Sequence, residues 1–271
     1  MFPLSYPEID PIIFSLGPLH VRWYGLMYVI GFIATYSLVL QQIKDFSYKK
    51  LGEHFENLNL VLILCVVVGG RLGYVFFYNF PYYLAHPLEI PATWSGGMSF
   101  HGACLAIVCG GWIYCKKTGL DFWKSGDIYV ATIPLGLFFG RIGNFINGEL
   151  FGRVTESPLG MIFPGAGSLP RHPSQLYEAF LEGIILFVVL WAVHRKPWQN
   201  RPWWPHGSIL ALFLTTYGIF RIGVENFREP DQHLGQIWGI LTMGQLLSIA
   251  MIGCGVLIWS IRLRRTQSPP E

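Results

Sequence analysis

Four arginines interrupt or border stretches that are otherwise almost wholly apolar: Arg22, Arg71, Arg141 and Arg221. A charge at the centre of such a segment costs at least about 2.5–3.5 kcal/mol in a membrane, so it is functional by default. Two of them sit among further polar groups. Arg141 opens Arg141-Ile142-Gly143-Asn144, with Asn147 and Glu149 just beyond, and Arg221 lies between Tyr217 and Glu225, with Arg228 following. An arginine that only snorkels to lipid headgroups needs no amide or carboxylate beside it. A structural ion pair is the other plain reading, and Arg221 with Glu225 one turn on has that spacing. Paired guanidiniums suit bidentate recognition of phosphate. His101, within Gly96-Gly97-Met98-Ser99-Phe100-His101-Gly102, is suited to proton transfer at neutral pH. Tyr24, in Arg22-Trp23-Tyr24-Gly25, reads on its own as a member of an interfacial aromatic belt. Glu178 and Glu182, one turn apart, follow Arg171-His172-Pro173-Ser174-Gln175 into an apolar stretch, which an exposed helix start would not require.

Other chemistries lack their residues. No His-x-x-x-His or paired-carboxylate spacing supports a metal, no Gly-x-x-x-x-Gly-Lys-[Ser/Thr] loop supports a nucleotide, and no serine sits in a Gly-x-Ser-x-Gly elbow. No metal and no cofactor is therefore expected. The five cysteines are an odd number in apolar stretches and read as small core residues. A net charge of +3 is too small to suggest nucleic acid as a partner.

The elements that must position these groups follow from composition. Of 271 residues, 52% are hydrophobic, 16% aromatic and 13% charged, against roughly 25% charged in an ordinary soluble domain. This predicts an all-α integral membrane protein, one polytopic domain over residues 1–271. Spans of about 20 apolar residues are expected at about 19–41, 58–78, 97–115, 126–146, 178–194, 207–224 and 238–263, seven transmembrane helices in all. Lys and Arg number three in 1–18, 79–96, 147–177 and 225–237 together, but twelve in 42–57, 116–125, 195–206 and the C-terminal end. The positive-inside rule then predicts the N-terminus outside, the C-terminus cytoplasmic and a small extracytoplasmic region at about 147–177. With that orientation all four arginines fall in the outer halves of their helices. The nearest phosphate in that place is a phospholipid headgroup. Residue types and spacing alone thus reach a phospholipid-handling membrane protein whose site faces outward.

The run Gly140-Arg141-Ile142-Gly143-Asn144-Phe145-Ile146-Asn147-Gly148-Glu149-Leu150-Phe151-Gly152 resembles the signature of the bacterial prolipoprotein diacylglyceryl transferases. It matches the pattern Gly-Arg-x-Gly-Asn-Phe-x-Asn-x-Glu-x-x-Gly at every fixed position. Similar blocks follow the family's order: Trp23-Tyr24-Gly25, Gly97 to Gly102, Arg171 to Glu178, Tyr217 to Asp231, and Met243-Gly244-Gln245. Ala103 departs from the family, which often has a second glycine there.

The resemblance implies transfer of the diacylglyceryl group of phosphatidylglycerol onto the lipobox cysteine of a preprolipoprotein signal peptide. The reaction forms a thioether at the outer face of the bacterial cytoplasmic (inner) membrane and releases glycerol phosphate, without cofactor or metal. It further implies that Arg141 and Arg221 are essential, and that His101, Tyr24, Asn144, Glu149, Gly152, Tyr217 and Glu225 belong to the site, with Asn147 from the signature run. On this reading Arg141 and Arg221 hold the phosphate, His101 takes the thiol proton or positions the group that does, and Asn144 and Glu149 orient them. A phospholipid-binding transporter or scramblase is the alternative from another class. It would want polar residues at several depths, whereas the inner halves of these spans are nearly free of charge.

Overall fold

The computed structural model describes residues 4–7, 9–17, 19–194, 204–229, 236–237 and 241–267. In chain order the elements are β1 (Leu4–Ser5), β2 (Ile12–Leu16), β3 (Leu19–Arg22), α1 (Trp23–Asp45), α2 (Lys49–Phe77), α3 (Phe80–Ala85), α4 (Phe100–Thr118), α5 (Phe122–Val130), α6 (Ile133–Ile146) and β4 (Met161–Ile162). Then come α7 (Ser174–Glu178), a π-helical segment at Ala179–Ile185, α8 (Leu186–His194), α9 (Ser208–Glu225), β5 (Gln236–Ile237), β6 (Leu241–Thr242) and α10 (Met243–Gln267). The protein is mostly helical. Among the described residues six segments are long and apolar enough to cross a membrane: Trp23–Asp45, Lys49–Phe77, Phe122–Ile146, Ser174–His194, Ser208–Glu225 and Met243–Arg265.

α4, the counterpart of the expected span at 97–115, has 19 residues but is not one of the six. His101 at one end, Lys116 and Lys117 at the other and three glycines between them lower its hydropathy. Other boundaries differ from the expectation as well, α2 beginning at Lys49 rather than 58. Residues 19–22 form a strand paired antiparallel with β2, so the first helix begins at Trp23 rather than 19. Leu19-His20-Val21-Arg22 alternates apolar and polar residues, the period of a strand, and the expected span took it in because a long apolar stretch follows from Trp23. The span expected at 126–146 is two helices broken at Ala131–Thr132, just before Pro134, whose ring cannot continue the hydrogen-bond ladder. The span expected from 178 is helical from Ser174, following Pro173. Residues 238–240, in the last expected span, lie outside the described residues.

Residues 1–42 with 126–271 form one compact unit, and residues 43–125 form another. In the smaller unit α2 packs along α4. Gly69 and Gly102 leave no room for a β-carbon at their crossing, so the two backbones approach as only small residues allow. In the larger unit a core of Val130, Ala131, Leu186, Leu190 and Ile209 ties α5, α8 and α9 together. α6 lies along the π segment, and α9 lies along α10. β1 pairs in parallel with β4.

Candidate active site

Three helices of the larger unit meet at Glu178. This carboxylate, 1% exposed, accepts ion pairs from Arg141 Nε on α6, from Arg221 Nη1 on α9 at 3.1 Å and from Arg228 Nη1 just beyond α9 at 3.1 Å. Burying so many charges is tolerable only because each has an opposite charge in contact. Arg221 also holds Glu225 through Nη2 at 3.1 Å, the pair that the one-turn spacing predicts. Glu225 Oε1 in turn accepts from the Thr242 hydroxyl at 3.0 Å. Glu182, wholly buried, stands 3.6 Å from Arg221 Nη1 and 3.9 Å from Arg141 Nη2. Tyr217, one turn before Arg221, interacts electrostatically with Glu182, Arg221, Arg141 and Glu178.

A second polar group adjoins the C-terminal end of α6. Asn144, one turn after Arg141, donates from Nδ2 to Glu149 Oε1 at 2.9 Å, and Asn147 Nδ2 approaches the same oxygen at 3.3 Å. The Tyr24 hydroxyl bonds with the Asn144 side chain and lies 3.0 Å from the Tyr28 hydroxyl. The backbone carbonyl of Glu149 accepts from Gln175 Nε2 at 2.6 Å, one turn before Glu178. Gln175 therefore links the amide group to the arginine group through one face of α7.

The segment after Glu149 is held by backbone pairing. Gly152 bridges Arg228, and Arg171 bridges both Val154 and Met161. Gly152 N donates to His172 O at 2.8 Å, and a β-carbon at Gly152 would overlap the carbonyl oxygen of Phe227. A glycine is thus required where the loop crosses the end of α9. Arg171 Nη1 pairs with Glu229 at 2.9 Å, its guanidinium lying over the Phe151 ring.

The residues singled out from the sequence are therefore distributed in two ways. Tyr24, Arg141, Asn144, Asn147, Glu149, Gly152, Tyr217, Arg221 and Glu225 all belong to the larger unit, in the groups just described. His101 belongs to the smaller unit. It lies in the first turn of α4, exposed, with its ring edge-on to Phe100, behind a helix start that Ser99 caps by accepting from Gly102 N at 3.2 Å.

A family model described as prolipoprotein diacylglyceryl transferase matches residues 11–261. The chain belongs to that family. It is 63% identical over 261 residues to the phosphatidylglycerol–prolipoprotein diacylglyceryl transferase of Desulfotalea psychrophila, covering 96% of each chain. Proteins of the same name from Legionella pneumophila (strain Lens) and Geobacter sulfurreducens are 48% and 47% identical, over 94% and 98% of this chain and 98% and 100% of theirs. Family and helices together make this a multi-pass membrane protein.

Within this family member, sequence reasoning passed over part of the cluster. Glu178 and Glu182 stood out only as carboxylates entering an apolar stretch, and their role as the shared counter-ions of Arg141 and Arg221 was not visible. Arg228 was counted as a loop charge, yet it touches Glu178. Gln175 stood out only as part of the block Arg171 to Glu178, with no role, and Thr242 was not singled out. The clue available for the glutamates was their i, i+4 spacing, which puts both on one helix face.

Proposed function

We propose that this chain transfers the diacylglyceryl group of phosphatidylglycerol to the cysteine thiol of a prolipoprotein. The observation that carries the proposal, beside family membership, is the convergence of Arg141, Arg221 and Arg228 on one buried carboxylate within apolar helices. Guanidiniums held there present preorganised positive charge to a lipid phosphate. In the transfer, sulfur attacks the glycerol carbon bearing the phosphate, and a carbon–sulfur bond forms as the carbon–oxygen bond breaks. The electron pair stays on the phosphate oxygen, and glycerol phosphate leaves.

Arg141 and Arg221 bind the phosphate and stabilise the charge that grows on it. A free thiol, with a pKa of about 8.5, is mostly protonated at neutral pH, and His101 takes its proton. Asn144 and Glu149 orient the reacting groups, and Tyr24, Asn147, Gly152, Tyr217 and Glu225 complete the substrate site. α4 serves as the seventh span, with the N-terminus outside and the C-terminus cytoplasmic, as the distribution of Lys and Arg supports. The chain resides in the bacterial inner membrane, and its protein substrate presents a lipobox cysteine.

The test is direct. Purified protein, phosphatidylglycerol vesicles and a lipobox peptide are mixed, and the peptide is analysed by mass spectrometry. A diacylglyceryl adduct on cysteine is expected. Its absence with a folded protein overturns the proposal.

A further inference from the structure

Three guanidiniums and three carboxylates meet in the cluster, and the carboxylates are not held alike. Both oxygens of Glu178 are in close ion pairs, with Arg141, Arg221 and Arg228. Glu225 has one oxygen on Arg221 at 3.1 Å and the other on the Thr242 hydroxyl at 3.0 Å. Glu182 has only two longer contacts, 3.6 Å to Arg221 and 3.9 Å to Arg141, although its side chain is 0% exposed. A buried carboxylate held so loosely calls for an explanation. The groups that face it are Arg141 on α6, Arg221 and Tyr217 on α9, and Glu178 on its own helix. Glu182 also lies within the π-helical segment, a geometry that recurs at functional sites.

We propose that the two glutamates have opposite tasks: Glu178 positions the guanidiniums, and Glu182 opposes the anion they bind, keeping the clamp from holding it too tightly. This rests on the phospholipid reading of the site. Three guanidiniums face three carboxylates there, and a phosphodiester brings a further negative charge into a region of low dielectric, where like charges repel strongly. The carboxylate with the weakest hold on the arginines carries that repulsion. The leaving glycerol phosphate bears at least as much negative charge as the lipid, so the same carboxylate hastens its departure. Tighter ground-state binding would lower KM without raising kcat, and a retained product would slow turnover.

The test uses the full chain in phosphatidylglycerol vesicles with a lipobox peptide. KM for the lipid, kcat and inhibition by glycerol phosphate are measured for wild type, Glu182→Gln and Glu178→Gln. For Glu182→Gln, KM and the inhibition constant should both fall about tenfold, equivalent to about 1.4 kcal/mol, with kcat also reduced. For Glu178→Gln, kcat/KM should fall about a hundredfold with no tightening. Glu182→Met, equally neutral and without a polar atom to satisfy, should tighten as well and serves where the Gln variant folds poorly. An unchanged or raised inhibition constant in folded Glu182→Gln or Glu182→Met overturns the proposal. Direct calorimetric binding of glycerol phosphate separates this from the proposed function. Wild type that forms no adduct sinks the transfer reading, whereas variants that bind glycerol phosphate no more tightly than wild type sink this one.

Discussion

Arg71, buried, and Arg221, 13% exposed, both lie on long apolar helices two residues before a glycine, yet their partners differ in kind. Arg71, 3% exposed, donates from Nε to Ile90 O at 2.7 Å, from Nη2 to Glu89 O at 2.8 Å and from Nη1 to the carbonyls of Gly96 and Gly97, with its guanidinium over the Tyr83 ring. These acceptors are all backbone carbonyls of one loop. Arg221 instead faces the side chains of Glu178, Glu182 and Glu225. Backbone carbonyls cannot leave without unfolding the loop, whereas carboxylates share their guanidinium with an incoming anion. Burial of a charge marks both sites as costly, and the type of acceptor separates a structural arginine from a binding one.

Lysine substitution in the two regions should break this symmetry most visibly. A lysine keeps the charge but loses the planar fork. Arg141→Lys and Arg221→Lys are expected to lose about 10²–10³-fold in transfer rate, the scale of removing one preorganised donor, while thermal unfolding changes little. Arg71→Lys should do the reverse. Losing several charge-assisted hydrogen bonds costs about 2–4 kcal/mol of stability, read as a lower Tm, with the lipid KM of the folded fraction preserved. Equal loss of rate in all three folded variants would erase the distinction.

Much of the cluster could be read in the sequence because charges in apolar stretches are conspicuous. Arg141, Arg221 and Glu225 declared themselves by cost and by one-turn spacing. What could not be read were partners that carry no residue-type signal. The acceptors of Arg71 are carbonyls, available at every position of the chain. Arg228 stood out as a neighbour of Arg221 and Glu225, but not as a partner of Glu178, 50 residues away in sequence. Fold errors had a similar origin. The strand at Leu19–Arg22 alternates apolar and polar residues, a period of two that averaging over a long apolar window hides. The break before Pro134 was marked by the proline itself, yet hydropathy alone joined α5 to α6.

A smaller effect sharpens the binding side of the comparison. Thr242 tethers Glu225 by a single buried hydrogen bond. Thr242→Val keeps the shape but removes both the donor to Glu225 and the oxygen that accepts from Gln245 N at 3.2 Å, which should cost about 1–2 kcal/mol, a Tm drop of about 2–8 °C in a chain of this size. Because Glu225 then pulls less firmly on Arg221, a severalfold rise in the lipid KM should accompany it. A lower Tm with unchanged KM would make Thr242 a packing residue only.

The smallest expected effect concerns the loop beside the cluster, at His172. Its backbone holds Gly152, its ring lies edge-on to Phe227 and Tyr177, and Nδ1 is 3.2 Å from the Tyr177 hydroxyl. Burial disfavours the charged imidazolium, so the folded protein holds its pKa below the ordinary value of about 6.5. The unfolded chain therefore takes up the proton first as pH falls. The stability that His172 contributes is fully present above about pH 6.5 and is lost progressively as pH drops through the lower folded value. Thermal unfolding between pH 8 and 5 should show a decline on the acid side, and His172→Phe, which keeps the ring packing and cannot titrate, should flatten part of it. An identical slope in His172→Phe and wild type would show that this histidine is not the loop's acid-sensitive contact.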